Sequence, residues 1–345
     1  MVVAAVRHTV TDSTAGAVLG ALRKCDGTLT WTVARRLLQE RRLGINGIVC
    51  IDEGRRVQAG DVLEVRERPF PEIPGDADVR ILWLDPLVVV AAKPAGMLSV
   101  RHPGDRDWSE ERKRQQPALE ESLARLIQRR EARSGPQART NALNERGRRG
   151  LRGESGGKFA ADSGLLAVHR IDRETSGILV FARTVESQQF LIHQFAAHTV
   201  LRRYLCVVPG NVSAGTLRSR QIRDRGDGLR GSSDDETVEG LDMVTHIRPL
   251  RRFVGYTELE CRLETGRTNQ IRIQLAEQGT PLCGDVKYRG PYGAADVPDE
   301  SAAPGLALHA AELGFRHPGT KEQLSWQLPW PSVMLRWLDR LSRVQ

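Results

Sequence analysis

The 345-residue chain has few cysteines, and they do not occur in any arrangement that would hold a metal ion or a disulfide framework. They stand singly along the sequence, with no CxxC pair and no cluster of histidine and cysteine at the spacing of a zinc site. The five are Cys25, Cys50, Cys206, Cys261 and Cys283. We therefore expect no structural metal, and we expect a protein of a reducing compartment.

Long apolar runs are also missing. The first residues, MVVAAVRHTVTDS, are apolar over too short a stretch for a signal peptide. No uninterrupted apolar run approaches the roughly 18 to 20 residues that cross a bilayer. These absences predict a cytoplasmic protein without a membrane partner, and we expect it to be monomeric.

Positive charge is in excess, and arginine supplies most of it. Lysine and arginine total 51 against 43 acidic residues, which gives a formal net charge of +8. Such a balance favours a polyanionic partner, nucleic acid before others. A soluble basic protein without such a partner has the same composition, so the motifs must decide between the two.

Residues 1–68 have the pattern of helix, strand and turn signals that is typical of a small α+β module. GAVLGALRKC and WTVARRLLQERR predict two short helices, and INGIVCIDEGRRVQAGDVLEV predicts short strands with turns at Asn46-Gly47 and Ala59-Gly60-Asp61. This layout resembles the S4-type RNA-binding module. In such a module the basic second helix would contact RNA phosphates; its candidate residues here are Arg35, Arg36, Arg41 and Arg42.

A proline-rich linker at residues 69–78 separates this module from a second domain, residues 79–345. Two polar segments of that domain, 101–160 and 223–237, read as flexible insertions. Within the first, only PALEESLARLIQRREAR has a helical stripe, and residues 134–157 have too few apolar side chains to offset the entropy of ordering.

Three separated segments of the second domain carry residues suited to chemistry. In HRIDRETSG an extended backbone would place Arg170 and Asp172 on the same side. In LRRYLCVVPG, Tyr204 lies on a predicted strand, where a tyrosine is usually structural. In ETGRTNQIRIQLAEQG, the sequence predicts a helix with Thr268 as its N-cap and Gly279 at its C-terminal end. Arg267 therefore precedes this helix, at a point from which its side chain can reach a cleft.

These segments, together with KPAG, PLCGDVKY and LALHA, resemble in order the motifs of the RluA-type family of pseudouridine synthases. The resemblance covers nearly all of residues 80–330 apart from the two insertions. It implies an α+β catalytic domain built on a mixed, mainly antiparallel sheet with flanking helices. It also implies an isomerase that needs no cofactor and no metal, because the reaction detaches a uracil, rotates it and rejoins it through C5.

The resemblance also assigns roles to residues. Asp172 would be the nucleophile, attacking either the base at C6 or the sugar at C1′, and Arg267 would pair with it, in preference to Arg170, and favour its ionised form. Arg170 would fill the space left by the flipped nucleotide. Tyr204 would stack on the uracil and remove the C5 proton.

Four positions depart from the family pattern. Asn269 and Gln274 stand where histidine is usual, and Arg183 and Arg202 stand where lysine is usual. None of these replaces the predicted nucleophile, its arginine or the tyrosine. They affect the expected RNA contacts, among which we count Asn269.

Other functions fit the sequence less well. A protein-kinase loop is excluded because its Gly-rich loop, DFG and APE motifs are missing. A retaining glycosidase needs two opposed carboxylates, and Glu174 is only two residues from Asp172. A non-catalytic RNA-binding or ribosome-assembly factor remains as an alternative. Large-subunit ribosomal RNA is the favoured substrate, because family members with an S4-type module mostly modify it, and tRNA is the alternative.

Overall fold

A computed structural model describes residues 6–67, 69–133, 164–233 and 239–343. The chain divides into two compact units, Met1–Glu72 and Ile73–Gln345, so the division falls within the predicted linker. Among the described residues, every helix is too short or too polar to pass through a lipid bilayer.

The first unit packs two helices with two small sheets. Four strands pair antiparallel in the order β1 (Val6–Thr9), β6 (Val62–Val65), β3 (Leu43–Ile45) and β4 (Ile48–Val49). A second pair joins β2 (Gly16–Ala17) to β5 (Arg56–Val57). Helices α1 (Val18–Cys25) and α2 (Trp31–Gln39) bury Leu22, Leu37 and Leu38 in a common core.

The second unit is built on one large sheet. Its strands run in the order β13, β12, β14, β15, β11, β16, β10, β8, β7, with β9 on β10 and β17 on β16. Only the β10–β16 pair is parallel among the described strands. The predicted α+β class with a mixed, mainly antiparallel sheet is confirmed.

The bounds of these strands follow the apolar runs of the sequence. They are β7 (Arg80–Leu84), β8 (Val88–Lys93), β9 (Leu166–Ala167), β10 (Ser176–Ala182), β11 (Leu201–Pro209), β12 (Gly215–Ile222), β13 (Gly231–Ser233), β14 (Leu241–Phe253), β15 (Tyr256–Leu263), β16 (Leu308–Arg316) and β17 (Gln323–Gln327). Helices α3 (Glu110–Gln115), α4 (Leu119–Arg133), α5 (Val185–Ala196), α6 (Gln270–Glu277) and α7 (Ser332–Arg343) accompany the sheet.

The centre of the sheet is apolar on both faces. All seven residues of β10 are buried, as a strand covered on both sides requires. Gly177, the second residue of this strand, has φ 128°, and a Cβ there would collide with the backbone of Ala310 on β16. The glycine therefore permits the close parallel approach that brings the loop before β10 to the middle of the sheet.

The predicted insertion at 101–160 is folded in its first part, which corrects the expectation of flexibility there. Leu119, Leu123 and Ile127 of α4 enter the same core cluster as Phe181 of β10. Arg101 is buried and donates from Nε and Nη2 to the carboxylate of Glu121. Residues 134–157, for which we predicted disorder, lie outside the described residues.

The second predicted insertion, 223–237, includes β13, which pairs with β12 as a hairpin. Arg225 anchors the turn by donating to the carboxylate of Asp227. Residues 225–233 are thus part of the sheet edge, whereas 234–237 lie outside the described residues.

Candidate active site

Side chains from all three chemistry-bearing segments line one cleft of the second unit. Arg170, Asp172 and Tyr204 come from the loop before β10 and from β11, and Arg267 and Asn269 come from the turn before α6. These three segments, far apart in sequence, meet because β10, β16, β11 and β15 are neighbours in the sheet.

Two buried polar side chains fix the loop that carries Asp172. Ser99 Oγ accepts a hydrogen bond from the backbone N–H of Ile171 at 3.1 Å and donates to the carbonyl of the same residue at 2.7 Å. Lys93 Nζ donates to the carbonyl oxygens of Met97 at 2.6 Å and Arg173 at 3.0 Å. The backbone on both sides of Asp172 is thus tied to the KPAG loop.

Lys93 also brings a titratable group next to the cleft. Burial lowers the pKa of Lys93 to about 7, while the nearby charges of Glu174 and Asp172 act in the opposite direction. Its three carbonyl acceptors, which include Pro94, make it primarily a tether between two loops.

The histidine of HRIDRETSG is structural. His169 Nε2 accepts a hydrogen bond from the backbone N–H of Val180, and its ring stacks on Phe195 with centroids 4.6 Å apart. Burial lowers the pKa of His169 to about 3, and the charge of Arg202 acts in the same direction. A neutral ring that accepts a backbone N–H supports β10 and does not enter the cleft lining.

The guanidinium that contacts Asp172 belongs to Arg272, so the predicted Arg267–Asp172 pair is wrong. Arg272 Nη1 lies 3.3 Å from Asp172 Oδ2. Arg272 occupies the first turn of α6, in which every residue from Gln270 to Ala276 is buried. Arg267 precedes the helix, and its Nε donates instead to the carbonyl of Asp242 at 3.2 Å.

A second carboxylate holds Arg272. Asp285 accepts from Arg272 Nε at 2.7 Å and from Nη2 at 2.8 Å, and both side chains are almost completely buried. Burial by itself would lower the pKa of Arg272, but the hydrogen bonds and charge of Asp285 raise it above its ordinary value. The arginine is therefore fixed as a cation, with one nitrogen left for Asp172.

Asn269 is the N-cap of α6, one residue later than the predicted Thr268. It has φ 60°, a left-handed conformation that asparagine tolerates better than most residues. Its Nδ2 donates to the hydroxyl of Tyr288, and its Oδ1 accepts from Arg272 Nη1 at 3.3 Å. Asn269 therefore lines the cleft and also helps to orient Arg272.

Gln274, the second departure from the family pattern, does not line the cleft. Its Oε1 accepts from Thr245 Oγ1 and its Nε2 donates to the carbonyl of Met243. These buried contacts join α6 to β14, so this side chain stabilises the fold.

The other two departures are also bound to backbone. Arg202 Nη2 donates to the carbonyl of Glu264 at 2.8 Å, and a Cβ on Gly266 would collide with the Arg202 guanidinium. Arg183 Nη1 donates to the carbonyl of Asp85. Gly266, the glycine of the TGR segment, is therefore explained by the Arg202 guanidinium packed against it.

Tyr204 reaches the cleft from β11. Burial raises the pKa of Tyr204 to about 12, with Arg202 acting against the shift and Asp172 adding to it. Ionising this phenol at pH 7 would cost about 7 kcal/mol, because each pKa unit corresponds to about 1.4 kcal/mol. Tyr204 therefore enters any reaction as a neutral phenol.

The predicted RNA-contact residues have different surroundings. Arg170 is exposed at the mouth of the cleft. In the first unit, three of the four arginines lie near carboxylates: Arg35 with Glu53 at 2.9 Å, Arg41 with Glu72 at 3.5 Å and Arg42 with Glu40 at 3.2 Å. Arg36 is exposed on α2. In the described part of the chain, no group of three or more potential metal-ligating carboxylate, histidine or cysteine side chains occurs.

Sequence reasoning missed Arg272, Asp285 and Lys93. The signal for Arg272 was its place among Ile271, Ile273 and Leu275, since a charged residue in a fully buried helix requires a partner. Asp285 stands in PLCGDVKY, a segment that the sequence analysis singled out without assigning it a role.

Comparisons with known proteins identify relatives of this chain. Residues 87–277 match the family model of RNA pseudouridylate synthase. The chain is 35% identical over 295 residues to the ribosomal large subunit pseudouridine synthase D of Xanthomonas campestris, with 84% of this chain and 76% of that protein covered. The synthase of the same name from Neisseria meningitidis serogroup A is 31% identical and covers 82% of this chain and 67% of its own length.

Solved structures show the same fold. The human RNA pseudouridylate synthase domain containing 4 matches with a TM-score of 0.53 at 19% sequence identity. The match covers 76% of this chain and 92% of the human one.

Proposed function

Because the chain belongs to the RNA pseudouridylate synthase family, we propose that Asp172 is the nucleophile with which it isomerises uridines of large-subunit ribosomal RNA. The enzyme class is that of an isomerase acting on RNA. The ribosomal target is supported by the names of the relatives from Xanthomonas and Neisseria. Such a target places the protein in the cytoplasm.

The contact between Asp172 and Arg272 is the observation that carries the proposal. The carboxylate is partly exposed in the cleft, with 22% of its side-chain surface accessible, whereas the guanidinium is buried. One nitrogen at 3.3 Å orients the carboxylate, and the other oxygen stays available to attack.

The reaction follows from what these residues can do. Asp172 forms a covalent bond with the nucleotide, the N1–C1′ bond breaks, and the uracil rotates within the cleft. A bond between C5 and C1′ then forms, and the bond between Asp172 and the nucleotide breaks and returns its electron pair to the carboxylate. The C5 proton leaves, and N1 gains a proton. Atoms and electrons balance without a co-reactant.

Tyr204 lines the cleft together with Asp172, which supports it as the group that receives the C5 proton, but its raised pKa restricts how it does so. We infer that the phenol oxygen accepts this proton while the phenol's own proton passes to Asp172, whose carboxylate is free again after the C5 bond forms. The ring also packs against the base. This relay avoids a free phenolate in the buried site.

RNA binding supports the chemistry from two places. Arg170, exposed beside Asp172, is suited to replace the flipped uridine in its stack, since a planar cation stacks on neighbouring bases. We propose that the first unit is an S4-type module whose exposed Arg36 contacts phosphate.

The test is to map pseudouridines in total RNA from cells with and without the protein. Loss of one or a few sites in large-subunit ribosomal RNA, restored by the wild-type chain and not by Asp172→Asn, is the expected result. Glu174→Gln is a matched control, because Glu174 is a neighbouring carboxylate paired with Arg173 at 2.8 Å, and it should restore the sites.

An unchanged map would contradict the proposal and favour a binding role without chemistry. Lost sites in tRNA alone would keep the reaction and overturn the ribosomal target. Restoration by Asp172→Asn would remove Asp172 as the nucleophile.

A further inference from the structure

Trp31, the first residue of α2, is 51% exposed although it sits directly beside the core of the first unit. We propose that Trp31 is a stacking platform for an unpaired RNA base. This inference rests on the proposed function, because it assigns to the first unit a contact with the RNA that the cleft modifies.

The indole is held in place by neighbours that leave much of it accessible. Its Cη2 lies over Gly20 of α1, 3.8 Å from where a Cβ would stand. The guanidinium of Arg23 lies over the ring, 4.5 Å from its centroid. Arg23 is itself fixed, since its Nε donates to the carbonyl of Leu29 at 3.0 Å. A side chain ordered in this way loses little further conformational entropy on binding.

The charge around Trp31 favours a nucleotide over an apolar protein partner. Arg35 lies one helical turn further along the same side of α2, and Arg36 is exposed next to it. An apolar partner would have to strip water from these guanidinium groups, which is costly. A base would stack on the indole while its phosphate stays near the arginines.

The net positive charge of the first unit is small. Residues 1–72 contain eleven lysine and arginine residues against nine acidic ones, and Arg35 is already near Glu53. Stacking on an aromatic ring is tolerant of base identity and does not depend on net charge. It therefore supplies binding free energy that the small charge excess of this unit does not supply.

The experiment measures binding of the full-length chain to two fluorescent probes, a 12-nucleotide oligouridylate and an abasic ribose-phosphate oligomer of equal length. Trp31→Ala should weaken oligouridylate binding by about tenfold, the size usual for one stacked base, and leave the abasic probe unaffected. Trp31→Phe should keep most of the affinity. The slope of log affinity against log salt should not change for Trp31→Ala, whereas Arg36→Ala should reduce it by about 0.7.

Trp83 of the second unit is the matched control, because it is 40% exposed. Trp83→Ala should bind both probes as the wild type does. Circular dichroism of Trp31→Ala checks that the unit stays folded, and Trp31→Phe keeps the test valid if the alanine variant unfolds. Equal loss for both probes, no loss in Trp31→Ala, or the same loss in Trp83→Ala would overturn the proposal.

Pseudouridine formation by the same variants separates the two proposals. If the wild type modifies ribosomal RNA, Trp31→Ala should raise KM and leave kcat unchanged. Modification by the wild type with an unaltered KM in Trp31→Ala would refute the platform alone. Absence of modification would refute the proposed function, and the two probes would still decide the platform.

Discussion

Replacing Asp285 with asparagine should slow the reaction although Asp285 does not line the cleft. The carboxylate accepts two hydrogen bonds from Arg272 and leaves one guanidinium nitrogen for Asp172. Asp285→Asn keeps the side-chain size but removes the charge and one acceptor. The guanidinium then has Asp172 as its remaining carboxylate, and we expect it to turn toward the nucleophile and bind it with two nitrogens.

The size of the effect follows from the bonds that change. A hydrogen bond between charged groups contributes about 1.5–3 kcal/mol, and removing one partner of a buried ion pair costs about 3–5 kcal/mol. If the poorer positioning of the proposed nucleophile raises the activation free energy by about 3 kcal/mol, kcat falls by about 100-fold. KM for the RNA should change by less than about threefold, because Asp285 acts through Arg272 and does not itself line the cleft.

The assay is release of tritium from a ribosomal RNA transcript labelled at uridine C5, measured under single-turnover and steady-state conditions. Glu312→Gln is the control, since Glu312 accepts a hydrogen bond from Arg203 at 2.6 Å in another largely buried ion pair of the same sheet. That variant should lose stability and keep kcat. Thermal unfolding of both variants shows what fraction is folded at the assay temperature.

Three results would refute the reasoning. A wild-type kcat in Asp285→Asn would show that the position of Arg272 does not depend on its second carboxylate. A kcat that falls equally in Asp285→Asn and Glu312→Gln would assign the loss to general destabilisation. A raised KM with unchanged kcat would likewise place Asp285 in RNA binding.

Three further predictions follow. Arg272→Ala should reduce kcat by at least about 1000-fold, as expected when a buried partner of the proposed nucleophile is lost. Arg267→Ala should mainly raise KM and reduce the salt dependence of binding. Steady-state kinetics at several salt concentrations distinguish the two effects, and equal losses of kcat in the two variants would contradict the pairing of Arg272 with Asp172. Tyr204→Phe should bind RNA normally and release C5 tritium at least about 100-fold more slowly, within the range usual for loss of a proton-transfer group; wild-type release would remove Tyr204 from proton transfer. Burial lowers the pKa of His309 to about 4, below the ordinary 6.5, so below pH 6.5 the unfolded chain takes up a proton at this residue that the folded chain does not. His309 should therefore contribute about 1.4 kcal/mol per pH unit to the fall in the free energy of unfolding between pH 6 and 4.5, in addition to the contribution of buried His169. Urea unfolding should show a slope shallower by that amount in His309→Asn than in the wild type, and an equal slope would contradict the assignment.

Much of the fold could be predicted because its signals are local. The apolar run of β10 and the alternation in β11 are visible in the sequence. Segment 101–133 could not be predicted as folded, because the carboxylate of Glu121 that satisfies buried Arg101 lies twenty residues away. Whether a polar segment packs depends on such partners, which composition does not reveal.

The candidate site was predictable for residues whose roles depend on their own loop. Asp172 and Arg170 are two residues apart in sequence and line the same cleft. The choice between two arginines five residues apart was not predictable, since it depends on where α6 begins. The left-handed Asn269 starts the helix after Thr268, which turns Arg272 inward and leaves Arg267 outside.

A nucleophilic carboxylate must be charged and oriented but not held by both its oxygens. A buried arginine offers five donors, and one carboxylate facing it alone would attract two of them. Asp285 occupies Nε and Nη2, and Asn269 shares Nη1, so Asp172 receives a single contact at 3.3 Å. The second carboxylate therefore also stabilises the charge of the arginine in the absence of RNA, and Asp172 can break its contact to attack without leaving a buried cation unpaired.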